Sequence, residues 1–146
     1  MHTFVRHIML PLLGILAIPA AYSQVTRVTI ESAHCARSSY VDVYEYDYVD
    51  VQPQFPGGDR AMFNFINKTR VYPYEAYKHG IQGRVVCSFI VNTDGSICNV
   101  SIVKGANPML NKEAVRIIRE MPNWKTGKLN NEAVPVRCFL PIAFRL

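Results

Sequence analysis

The chain has 146 residues, 49% of them hydrophobic and 18% charged, which is enough apolar sequence for one compact domain with extra segments and excludes a chain disordered throughout. The net charge of +5 is unevenly divided: residues 24–59 set six acids against Arg27 and Arg37 for a net −4, and residues 60–146 set thirteen Lys and Arg against five acids for a net +8. An acidic leader on a basic domain allows self-docking or an acidic partner, and the basic residues are too scattered for a nucleic-acid footprint.

Residues 1–23 begin with a short polar stretch carrying Arg6. They continue through an apolar run over 8–18 interrupted by Pro11, and end in Ala21-Tyr22-Ser23. This is the pattern of a secretory signal peptide, with cleavage expected before Gln24. The alternative is an uncleaved inner-membrane anchor, and cleavage alone separates the two. Export makes Cys35, Cys87, Cys98 and Cys138 candidates for disulfides. Neither the Cys87–Cys98 spacing nor His34-Cys35 matches a zinc motif, so no metal or other cofactor is expected.

Residues 24–52 are an acidic, tyrosine-rich stretch with alternating runs at 25–30 and 40–51. In the second, Tyr40, Asp42, Tyr44, Tyr46, Tyr48 and Asp50 would share one face of a strand. The acids at 42, 45, 47 and 50 make a solitary strand poor, so an extended tether is preferred over an added strand. The prolines and glycines of 52–58 mark a boundary, and a folded domain is expected over 53–146. Asp59 is a plausible cap for a short helix whose Met62, Phe63 and Ile66 share a face. Pro73 opens a second helix over 74–79, and Gly80 stops it.

The strongest pattern is a hairpin over 83–103, turning at Asn92-Thr-Asp-Gly95. Val85, Cys87, Phe89 and Val91 alternate as in a strand buried on one face. A loop over 105–110 leads to a helix over 112–121 capped by Asn111, with Ala114, Val115, Ile118 and Met121 packing on the hairpin. Residues 124–132 are loop and turn. In a last strand over 134–146, Val134, Val136, Cys138, Leu140, Ile142 and Phe144 alternate. Pro135 and Pro141 lack an amide hydrogen, which confines this strand to an edge or to amides that point away from a neighbour. The expected fold is therefore α+β: a three-stranded antiparallel sheet of order 2-1-3, helices on one face, the C-terminal strand on an open edge. Cys87 and Cys138 then fall on adjacent strands, as a disulfide or as two buried thiols.

No catalytic set emerges. His2 and His7 lie in the signal peptide, His34 in the tether and His79 at a helix end; Asp94 belongs to a turn, and Glu113 and Glu120 to the charged side of their helix. There is no nucleophile with a nearby base and no phosphate-cradling loop, so the chemistry on offer is recognition and not enzymatic. Strand addition at the open edge is the mode it favours.

Phe55-Pro-Gly-Gly58, Tyr72-Pro73, Gly80-Ile-Gln-Gly83, Val85-x-Cys87-x-Phe89-x-Val91, Asp94-Gly95, Asn111-x-Glu113-Ala114, Met121-Pro-x-Trp124, Gly127-Lys128 and Leu140-Pro-Ile-x-Phe-Arg-Leu146 together resemble the C-terminal domain of TonB energy transducers, over about residues 52–146. The resemblance implies a periplasmic domain whose last strand pairs with an extended box peptide of an outer-membrane transporter and transmits energy from an inner-membrane motor complex. This chain departs from the family in its apparent cleavable signal and short tether, which at ~3.5 Å per residue reaches roughly 100 Å. Lys68-Thr-Arg-Val71 also stands where members carry a Gln-rich segment.

The combined expectation is an exported, periplasmic protein that binds an extended segment of an outer-membrane TonB-dependent transporter or similar envelope protein. Val136, Cys138, Leu140, Ile142 and Phe144 lie on the pairing strand, and Tyr72, Lys68 and Arg70 line the approach. The motor complex enters only if the N-terminal segment stays uncleaved; nucleic acid does not enter, and a homodimer is a further arrangement. The alternative is an envelope structural module whose N-terminal strand closes its own sheet edge or swaps between copies.

Overall fold

The structure is a computed structural model that describes residues 25–30 and 39–146. The expected signal peptide, His34 and Cys35 lie outside the described residues. Element order is β1 (Val25–Ile30), β2 (Ser39–Glu45), a 3-10 turn (Tyr46–Tyr48), α1 (Gly58–Thr69), α2 (Tyr74–Lys78), β3 (Gly83–Val91), β4 (Ile97–Lys104), α3 (Pro108–Arg119), β5 (Gly127–Leu129), β6 (Glu132–Val134) and β7 (Val136–Phe144). Among the described residues, no helix is long and apolar enough to cross a membrane.

β3 is the central plank. It pairs antiparallel with β4 on one side, and on the other with β7 along its whole length, from Gly83 opposite Phe144 to Val91 opposite Val136. The turn between β3 and β4 is held by the Asp94 carboxylate, which accepts from the amide and hydroxyl of Ser96. Those hydrogen bonds also hold the Asp94 carboxyl below its ordinary titration range.

The three-stranded expectation is corrected: the main sheet has five strands in the order β1-β2-β7-β3-β4, and β5-β6 form a separate hairpin. β1 and β2 pair antiparallel, and the end of β2 adds in parallel to β7 through Tyr44 opposite Val136 and Glu45 opposite Arg137. The acids that argued against a strand here are answered across the ladder. Asp42 stands opposite Arg27 and pairs with it at 3.1 Å, and Glu45 meets Arg137 at 3.3 Å. Val43 is fully buried, and Val49, Pro53 and Phe55 are buried beyond it, so residues 39–55 are packed structure and not a free tether.

The helices cover the face of β3 and β7 that presents Val85, Cys87, Phe89, Val91, Val136, Cys138, Leu140, Ile142 and Phe144 to one core cluster. Three local expectations change. Helix α1 is entered through Gly57 in a left-handed conformation, with Asp59 inside its first turn, and Phe63 faces solvent while Met62 and Ile66 are buried. Helix α3 starts four residues earlier than expected, because Asn107 caps it by accepting from Met109 N at 2.9 Å and Pro108 is pre-set for the first turn; Asn111 instead accepts from Ala106 N. Its buried stripe is Leu110, Ala114, Ile117 and Ile118, so Val115 lies beside the stripe and not in it. The loop and turn expected over 124–132 holds most of a hairpin, β5 to β6, whose Asn130 and Asn131 both take positive φ, as a two-residue turn of this hand requires.

Gly95 joins the central hairpin to the segment after α3. Its φ is +86°, its carbonyl accepts from Trp124 N at 2.8 Å, and an added Cβ would stand 2.2 Å from the Trp124 carbonyl oxygen. Gly95→Ala is expected to destabilise the fold by about 2 kcal/mol, read from the urea midpoint. Fluorescence of the single tryptophan should shift in the native baseline; an unchanged midpoint would show that this junction is looser than the geometry says.

Candidate functional site

An antiparallel ladder alternates pairs that exchange hydrogen bonds with pairs whose backbone groups point away. Pro141, with no N–H to give, stands opposite Val86 in the β3–β7 ladder. Two carbonyls at the same parity point away from β3: Pro135 O accepts from Tyr44 N at 2.9 Å, and Ala143 O accepts from Arg70 Nη1 at 2.8 Å. The backbones of Phe139 and Pro141 share that parity and so face outward. Among the described residues, β7 has a strand partner on that side at Val136 and Arg137 alone. Among the described residues, the outward backbone groups of Phe139 and Pro141 and the Ala143 N–H have no strand partner.

Parity also decides what each expected site residue can do. Val136, Cys138, Leu140, Ile142 and Phe144 are buried against the helices, so their side chains belong to the core. The side chains on the other face are those of Phe139, 52% exposed, and of Pro141 and Ala143, both exposed. The same alternation that marked the core positions marks these three by exclusion, and sequence reasoning passed over them. Tyr72 is structural: its hydroxyl donates to Ile81 O and its ring meets the edges of Phe144 and Tyr77. Lys68 is exposed in the last turn of α1, and Arg70 sits on the edge itself through Ala143.

Cys87 and Cys138 are free thiols and not a disulfide. They are offset along the ladder, with Cys87 opposite Leu140 and Cys138 opposite Phe89, and such diagonal positions lie too far apart for a disulfide. Burial pushes the Cys87 thiol up to about 11 and the Cys138 thiol up to about 12, so both stay protonated and inert near neutral pH. Among the described residues, no His, Cys, Asp or Glu group is arranged to hold a metal.

Arg70 is positioned by a clamp the sequence did not reveal. Glu113, expected on the charged side of its helix, is buried, and its Oε1 accepts from Val71 N at 2.8 Å. Arg116 donates to both Glu113 oxygens, to Thr69 O at 2.7 Å and to Glu120 at 2.7 Å. The 69–71 segment is thereby tied to α3 from both sides of Arg70. Burial pushes the Glu113 carboxyl up, but hydrogen bonds from Arg116 and Val71, with the Arg116 charge, outweigh it and hold the carboxyl below its ordinary value.

Where β2 leaves β7, a cleft of about 750 Å³ opens along Cys138, Phe139 and Leu140. Its apolar lining includes Phe55, Met62 and Trp124, and its carboxylates are Glu45, Asp47, Asp50 and Asp59. Trp124 packs edge-on against Phe55 and Phe89, with ring centroids 5.9 and 5.2 Å away.

The model of one protein family, the Gram-negative bacterial TonB protein C-terminal, matches residues 68–146. Two NMR solution structures of the Helicobacter pylori TonB C-terminal domain are similar to the chain at 29% identity. The longer covers 62% of this chain and 86% of that one with a TM-score of 0.47; the shorter covers 58% and 89% with a TM-score of 0.46. No curated protein sequence matches.

A carboxyl whose folded pKa is depressed contributes stability that is present above its unfolded pKa and lost as pH falls through the folded value. For Glu113 that loss is expected below its ordinary value of 4.5. Glu113→Ala should lower stability at pH 7 by about 2 kcal/mol, and Glu113→Gln should flatten the acid limb of a urea-midpoint-against-pH curve; an unaltered acid limb would remove the clamp's electrostatic role.

Proposed function

The chain belongs to the family of Gram-negative bacterial TonB protein C-terminal domains, and from that premise we propose that it binds an extended box-like segment of an outer-membrane transporter by adding it to the outer edge of β7. Membership implies a part in TonB-dependent transport in the cell envelope. The observation that supports strand addition is the unpaired stretch of β7 from Phe139 to Ala143. Outward-facing backbone there offers donors at Phe139 and Ala143 and acceptors at Phe139 and Pro141, which main-chain pairing would satisfy. Arg70 bounds the stretch at one end through Ala143 O, and Glu45 and the 3-10 turn bound it at the other. The signal-like residues 1–23 support a periplasmic place of action.

A second reading rests on a specific observation, the two-residue parallel pairing of β2 with β7. In that reading the N-terminal strands close the edge, and the domain is a structural module of the envelope.

Amide exchange in the free protein separates the two. On an open edge the Phe139 and Ala143 amides exchange quickly and become protected when an N-terminal transporter segment binds; on a closed edge they are protected from the start. Ala143→Pro removes an outward N–H while leaving the β3 ladder intact, as Pro141 already does at the same parity. It should keep the fold and weaken binding about tenfold, the loss of one main-chain hydrogen bond. A proline at Leu140 is the wrong probe, since that amide faces β3 and its loss would unfold the sheet. Binding unchanged in Ala143→Pro would sink the edge-addition mode.

A further inference from the structure

This inference rests on the strand-addition reading and concerns what the edge selects. Side chains of an added strand alternate between the two faces of the sheet. Those on the helix side, at the level of Cys138 to Leu140, enter the cleft beside β7. What they meet there runs against the charge of the whole protein. The chain carries a net +5, yet no lysine or arginine lines this cleft, while four carboxylates do.

The carboxylates are not equivalent. Glu45 is paired with Arg137, and Asp50 accepts from Asn130 N at 2.7 Å. Asp47 and Asp59 have no cation and no donor among the described residues. Both line the cleft together with Tyr46 and Cys138. Two free carboxylates, one from the 3-10 turn and one from the first turn of α1, thus flank the β7 edge at Cys138. Trp124, which lines the same cleft, keeps its buried Nε1 without an acceptor.

We propose that the occupant of this edge is an extended protein segment carrying a lysine or arginine two residues from an apolar residue on its cleft-facing side. The cation sits between Asp47 and Asp59, and the apolar residue packs on Leu140 and Met62. An acidic residue in the first position is rejected by like charge, so the cleft discriminates by repulsion as well as attraction. The open backbone of β7 supplies binding to any extended segment, and the two carboxylates supply the choice among them.

A randomised extended-peptide library displayed on phage, selected in parallel on the full chain, on Asp47→Asn/Asp59→Asn and on Ala143→Pro, tests this. On the unaltered chain, peptides should emerge with Lys or Arg enriched at one position and an apolar residue two away. A synthetic peptide from that pool should bind the double variant about tenfold more weakly, with a shallower salt dependence, and still protect the Phe139 and Ala143 amides. Peptides that depend on Ala143 but show no basic enrichment, or bind the double variant equally well, would overturn the charge selection and leave strand addition standing. Failure to recover any peptide that discriminates against Ala143→Pro would overturn strand addition, and this inference with it.

Discussion

The nine-residue antiparallel ladder between β3 and β7 is the constraint on which the rest of the molecule depends. One alternation fixes two separate things. Side chains at even positions of β7 go to the helices, where Cys138, Leu140, Ile142 and Phe144 complete the core. Backbone groups at odd positions go outward, where the Pro135 and Ala143 carbonyls hold partners and, among the described residues, Phe139 and Pro141 do not. A slip of one residue would expose the core and bury Arg137 and Arg145, so the register is specified strongly. The open edge is therefore placed by the same energy that holds the core together, with no separate device needed.

That edge is kept rigid from both ends. Beyond Ala143, the Glu113–Arg116 clamp ties residues 69–71 to α3 and leaves Arg70 aimed at the strand. Beyond Val136, the β2 contact and the Glu45–Arg137 pair fix where the covered part of the edge stops. Below the cleft, Trp124 links the β3–β4 turn, through Gly95, to Phe55 and Phe89.

Much of this was legible in the chain, and the misses share a cause. The β3–β4 hairpin, the last strand and its return antiparallel to β3 follow from period-two patterning, and the two prolines marked the outward parity correctly because the missing N–H is a local property. The β1–β2 strands were underrated because Asp42 and Glu45 look prohibitive until Arg27 and Arg137 stand opposite them, and register across 15 or 92 residues is not written locally. Glu113 looked like solvated charge for the same reason: its donors at Val71 and Arg116 come partly from another element. Val136, Cys138, Leu140, Ile142 and Phe144 were read from their alternation alone, and burial makes that side the core and leaves Phe139, Pro141 and Ala143 on the exposed face.

The cleft divides the work between two parts of the chain. The open edge belongs to β7, inside residues 68–146 that match the family. Glu45, Asp47 and Asp50 come from the segment whose sequence looked like a tether and Asp59 from the first turn of α1, all outside that match. The N-terminal addition thus does two things at once: it covers β7 at Val136 and Arg137, shortening the edge available, and it lines the remainder with negative charge. Main-chain pairing is indifferent to sequence and gives affinity without choice. On this architecture the open edge lies inside the shared domain, and the residues in front of it limit its length and set the charge beside it.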